Sequence, residues 1–143
     1  MPIGDDIATE PSASVTLDDF MTGLIAGLAL EGIKAVSIRD TQFYAAVEAA
    51  FQKFESISET LGLRLKFWIT RNPVYGDSAD VREGITRAVQ RDLISLDNPT
   101  YLNMRLRVGQ DDSSTYLDNL PGGAEAYRQV ARVFLDQYRV ASV

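Results

Sequence analysis

Two hydrophobic periods alternate along the chain, and the switches between them mark its elements. Leu17, Phe20, Leu24, Ile25 and Leu28 recur at helical spacing. Thr16, with Asp19 three residues on, has the form of a capping box, and Gly32 is a natural stop, so a helix is predicted over Leu17–Leu30. After a short apolar piece, Ala35 to Ile38, Asp40 reads as the N-cap of a second helix. That helix carries Phe43, Val47, Ala50, Phe51, Phe54, Ile57 and Leu61 on one face, and Gly62 closes it. From Leu63 to Thr70 the period falls to two. Leu63, Leu65, Phe67 and Ile69 alternate with Arg64, Lys66, Trp68 and Thr70, the pattern of a half-buried strand.

Asn72-Pro73 ends that strand, and Tyr75-Gly76-Asp77-Ser78 reads as a turn and an N-cap. A third helix is predicted with Val81, Ile85, Ala88, Val89 and Leu93 inward. Leu93–Leu96 is a candidate strand, Asp97–Thr100 a turn and Tyr101–Val108 a second strand, with Leu102, Met104, Leu106 and Val108 on one side. Asp111-Asp112 is read as loop, with a short turn around Tyr116-Leu117. Pro121-Gly122-Gly123 is a breaker, and a final helix buries Tyr127, Val130, Ala131, Phe134 and Tyr138. Residues 1–16 read as a flexible acidic arm and 17–143 as one domain. The expected fold class is α+β: about four main helices with a small sheet of two to three strands. Its expected core is Leu24, Leu28, Phe43, Val47, Phe51, Phe54, Leu65, Phe67, Ile85, Val89, Leu93, Leu106, Val130 and Phe134.

The run from Gly76 to Val108 joins a turn, a helix bearing Arg82, Arg87 and Arg91, and a hairpin whose second strand carries Arg105 and Arg107. That stretch, about a quarter of the chain, resembles the last helix and wing of a winged-helix module. The resemblance implies a helix for the major groove and a hairpin for phosphates. The family pattern also has a short helix before the turn, where this chain has Ile69–Tyr75. Winged helices serve as protein-binding modules too, so the resemblance leaves both kinds of partner open.

Composition narrows the chemistry. The 143 residues include no Cys and no His, which removes thiol nucleophiles, imidazole bases, disulfides and the usual zinc ligand sets. The net charge is −6, unevenly spread. Residues 1–62 hold ten acids against three bases, whereas 63–109 hold eight bases against five acids. The middle third is thus the candidate anion-binding surface, through Arg64, Lys66, Arg82, Arg87, Arg91, Arg105 and Arg107. If the two long strands were neighbours, Arg64, Lys66 and Trp68 would share a face with Tyr101, Arg105 and Arg107. That aromatic-basic mixture suits either nucleic acid or a protein interface. The acid pairs Asp5-Asp6, Asp18-Asp19 and Asp111-Asp112 are poor metal ligands, because adjacent side chains on a helix or strand diverge; no metal, cofactor or catalytic residue is expected.

Phe20 to Leu30 has Thr22 as its one polar side chain, so the first helix must be covered on several sides. Covering it from outside would use Phe20, Met21, Gly23, Leu24 and Gly27, together with Trp68 and Tyr101, as a subunit or partner contact. The apolar run is about half of what a bilayer needs, and the first residues lack the basic start of a secretory signal. A cytoplasmic protein with no membrane partner is expected. The reading that follows is a non-catalytic protein-interaction module, a small subunit or adaptor of a larger, bacterial complex, with a protein partner or self-association expected; the alternative is a winged-helix-like nucleic-acid-binding or regulatory protein.

Overall fold

The computed structural model describes residues 13–38, 41–97 and 103–142. In chain order they form β1 (Ser14–Val15), α1 (Leu17–Leu30), β2 (Ala35–Ser37), α2 (Thr41–Leu61), β3 (Arg64–Leu65), α3 (Ala79–Gln90), β4 (Ile94–Leu96), β5 (Asn103–Leu106), α4 (Gln110–Asn119) and α5 (Gly123–Ser142). The fold is α+β, with small sheets of two and three strands beside the helices.

α1 starts where its capping box places it. The Asp19 N–H donates to the Thr16 hydroxyl oxygen, and the Thr16 N–H donates to the Asp19 carboxylate at 3.0 Å. All ten residues from Phe20 to Ala29 are buried. The one polar side chain among them, Thr22, satisfies its hydroxyl on the Asp18 carbonyl at 2.7 Å, without a partner from another element. α3, α4 and α5 pack around α1, and Phe20 reaches the rings of Phe51, Phe54 and Phe67 at 5.5–6.0 Å. Burying Phe20, Met21, Leu24, Ile25 and Leu28 contributes on the order of 10 kcal/mol, comparable to the whole stability of a domain.

Small residues make that packing close. A Cβ on Gly23 would lie 2.1 Å from Cδ1 of Tyr127 on α5, and one on Gly27 would meet the Ala131 side chain and the Tyr127 carbonyl at 2.9 Å. The Tyr127 ring stacks on Phe54 of α2, and its hydroxyl donates to the Pro121 carbonyl at 2.6 Å. One side chain therefore locks α1, α2 and α5 together.

The parallel pair β1–β3 aligns Ser14 with Arg64 and Val15 with Leu65. The antiparallel sheet has the order β2–β5–β4, with Met104 between Val36 and Leu96. The helix–hairpin order of the winged-helix resemblance is present as α3–β4–β5. However, the segment before α3 is a turn and not a helix, and the helix that α3 packs on is α1.

Several expectations need correction. Ser14 and Val15 belong to the folded structure, Val15 fully buried, while residues 1–12 of the expected arm lie outside the described residues. The strand expected over Leu63–Thr70 is a strand only at Arg64–Leu65, although its in–out alternation continues to Thr70. The stretch expected as loop and turn is α4. Only Ser113 and Leu117 of it are buried, so it has no apolar stripe to read, and its place over α1 makes it helical. Val89 is exposed, and Leu65 and Leu106 are half-buried. Asp40, Asn98–Thr100, Tyr101 and Leu102 lie outside the described residues.

Gly23→Ala should destabilise the protein by about 1–3 kcal/mol in urea unfolding, despite the better helix propensity of Ala. An unchanged or raised midpoint would show that Tyr127 does not occupy that space. Burial also raises the Tyr127 hydroxyl pKa well above its ordinary value. The folded state thus holds this proton more tightly than the unfolded chain. The resulting stability is complete below the unfolded pKa near 10 and is lost as pH rises toward the folded value. Tyr127→Phe should lower stability by about 1 kcal/mol at neutral pH and flatten its decline above pH 10, read from unfolding midpoints across alkaline buffers.

Candidate interaction surface

The residues expected to meet a partner divide into two sets. Phe20, Met21, Gly23, Leu24 and Gly27 are buried against the chain's own helices, so the expectation that they form a partner contact is overturned. α1 is covered from inside because α3, α4 and α5 supply three walls, one of them the polar α4 that has no sequence signature. Trp68 is 64% exposed and available; Tyr101 lies outside the described residues.

The basic residues do not assemble as one sheet face. Arg64, Lys66 and Trp68 belong to the segment paired with β1, whereas Arg105 lies in β5 and Arg107 just after it, and β5 pairs with β2 and β4. Three of the six arginines in this set, Arg82, Arg87 and Arg107, are engaged by carboxylates. Arg82 pairs with Asp77 at the start of α3, and Arg87 reaches Glu83 at 2.6 Å and Asp18 at 3.6 Å. Arg91 donates to the Asp18 carbonyl at 3.5 Å, and Arg107 pairs with Asp92 at 2.8 Å. Asp92 holds the turn between α3 and β4 in the left-handed region, φ 63°, which Asp tolerates better than most side chains. Arg64, Lys66 and Arg105 are exposed and form no ion pair among the described residues.

The acidic pairs likewise have structural duties. Asp19 caps α1 and Asp18 faces Arg87, while Asp111 and Asp112 occupy the first turn of α4, where negative charge is favoured. Asp5-Asp6 lies outside the described residues. Among the described residues no three His, Cys, Asp or Glu side chains are grouped to hold a metal. No described helix is long and apolar enough to cross a membrane.

Two surface features emerge only in three dimensions. An open cleft of about 670 Å³ lies between the end of α1, the end of β5 and the start of α4, with Lys34, Arg107 and Gly109 in its lining. The other is the segment from Trp68 to Tyr75. Val74 and Tyr75 are 78% and 73% exposed at the tip of its turn, with Trp68 upstream. The turn is braced throughout. The Asn72 carboxamide oxygen accepts from the Val74 and Tyr75 N–H groups at 2.8 and 3.0 Å, and the Gly76 N–H donates to the Asn72 carbonyl at 2.8 Å. Arg71 donates to the Gly76 carbonyl at 3.0 Å and pairs with Glu48 of α2 at 3.3 Å. Asp80 accepts from the Thr70 N–H and hydroxyl. Gly76 has φ +75° and would drive a Cβ into Thr41, so the turn needs glycine there twice over. Tyr44, beside the Arg82–Asp77 pair, has its pKa raised by burial while Arg82 pulls it down.

Sequence alone marks Asn72-Pro73 and Gly76 as a turn; that it holds two large apolar side chains in water depends on the partners that Arg71 and Asp80 find elsewhere.

Arg71→Ala should leave the global fold intact, cost about 1 kcal/mol, and speed hydrogen exchange at the Asn72 and Gly76 amides more than at amides within α2. Uniform exchange changes, or none, would show that Arg71 does not brace the turn. Comparison of the chain with family models, with curated proteins and with solved structures found no match.

Proposed function

We propose that the chain is a non-catalytic protein-interaction module, a cytoplasmic small subunit or adaptor, and that it docks through the surface of residues 68–75. The observation that carries this reading is the exposure of Val74 and Tyr75 on a turn fixed by at least six hydrogen bonds, with Trp68 exposed upstream of it. Exposed apolar side chains are common singly; a Val and a Tyr at the tip of one braced turn, with a Trp a few residues upstream, offer interface chemistry. Preorganisation matters here, because a turn already ordered loses little entropy when it binds. The absence of Cys and His from the sequence fits the same reading, since the commonest nucleophile and proton-transfer groups are missing.

The second reading is a winged-helix-like nucleic-acid binder, favoured by the α3–β4–β5 order and by the unpaired cations Arg64, Lys66 and Arg105. It ranks lower because Arg82, Arg87 and Arg107 are already held by carboxylates, and a phosphate would have to displace these.

A photo-crosslinking side chain placed at Val74 or Tyr75 in cells should give an adduct of one discrete mass, absent when the same group stands at exposed Tyr116 on α4. Equal labelling from all three positions, or none from 74 and 75, would overturn the proposal. Retardation of a duplex or single-stranded probe at low salt, weakened by Arg105→Ala, would put the second reading in its place.

A further inference from the structure

The segment that begins at β3 is paired on one side only. The Arg64 N–H donates to the Ala13 carbonyl and the Lys66 N–H to the Val15 carbonyl, both at 2.9 Å. Successive backbone groups of a strand point to opposite edges, so the N–H and C=O groups of Leu65, Phe67 and Ile69 are turned away from β1. Among the described residues nothing meets them: no backbone or side-chain group bonds the main chain of Phe67, Trp68 or Ile69. Among the described residues that edge has no partner from Leu65 to Ile69.

One edge of the other sheet is covered by a side chain. On β2 the Tyr138 hydroxyl from α5 covers Ser37, accepting from its N–H at 3.1 Å and facing its carbonyl at 3.3 Å.

Side chains beside the Leu65–Ile69 edge define what it would accept. Phe67 and Ile69 are buried and fix the register of the segment against the core, so a one-residue slip would expose both. Arg64, Lys66 and Trp68 project outward. In a chain of net charge −6, Arg64 and Lys66 stand side by side with no carboxylate partner among the described residues. A second copy would bring the same cations to the edge on a body of the same net charge. An acidic strand brings the complement.

We propose that the edge of Leu65, Phe67 and Ile69 is a strand-addition site for an extended acidic segment of a partner protein. The added strand completes the backbone hydrogen bonds, and its outward carboxylates lie against Arg64 and Lys66, with Trp68 at the end of the site. This proposal rests on the interaction-module reading and narrows it to a mode and a partner chemistry.

Trp68 is the single tryptophan of the chain, so its fluorescence reports on the site directly. The probe is a capped peptide of four Glu-Val repeats, titrated into the full-length protein. The expected result is a saturable blue shift of Trp68 emission, protection from acrylamide quenching, and weakening as salt rises. Arg64→Glu with Lys66→Glu should reduce affinity by about tenfold or more. Two further versions, N-methylated at the valines or at the glutamates, separate backbone pairing from simple charge attraction, and one of the two should fail to bind. Equal binding by both overturns strand addition, as does equal binding by a Lys-Val peptide or no response at millimolar Glu-Val peptide. A blue shift that grows with protein concentration alone assigns the edge to a second copy and overturns the acidic partner. Crosslinking at Val74 or Tyr75 decides the broader reading separately, so a discrete adduct there beside a silent peptide titration would remove strand addition alone.

Discussion

A helix apolar on every side imposes the main constraint on this protein. α1 offers water no polar stripe, so the rest of the chain is arranged as its container. The tightest contact is that of Tyr127 over Gly23. The ring enters space that any side chain on residue 23 would fill, stacks on Phe54, and satisfies its hydroxyl on Pro121. A close-packed interior transmits such a constraint, because neither helix can shift without opening a void on the far side of the ring. Gly84 repeats the device on α3, where a Cβ would meet Met21 at 2.7 Å.

The charge asymmetry of the sequence is in large part spent inside the fold. Asp18, on the first turn of α1, faces Arg87 while its carbonyl accepts from Arg91, which ties α3 down at the end of α1 where the capping box sits. Asp92 and Arg107 link the turn after α3 to the end of β5, and Arg71 and Glu48 link the turn before α3 to α2. These pairs are partly exposed, so each contributes little stability alone. Their value is positional: they fix α3 and its two flanking turns relative to the core. What remains after this accounting is a smaller basic surface, chiefly Arg64 and Lys66 next to Trp68.

The surface from residue 63 to 75 therefore combines three properties that are usually separate. Its buried side chains hold it in register, its main chain has no partner along one edge among the described residues, and its outer side chains are basic and aromatic. The braced turn at Asn72–Asp77 extends it with Val74 and Tyr75. A partner meeting this surface finds hydrogen-bonding groups, charge and apolar area already in place, with little ordering left to do.

The sequence by itself determined the long elements. α1 was legible to its ends because its cap, apolar run and stop are all local, and the alternation of Leu63–Thr70 correctly separated inward from outward side chains because pleating alone sets that order. It also gave the α+β class. Tertiary structure decided what each element meets. That β3 pairs with Ser14–Val15 and not with the strand after Asp97, that polar Gln110–Asn119 becomes a helix, and that α1 is covered by its own chain are all choices of partner. Periodicity carries the direction in which a side chain points, but the identity of the surface it meets is fixed only when all the elements compete for the same buried volume.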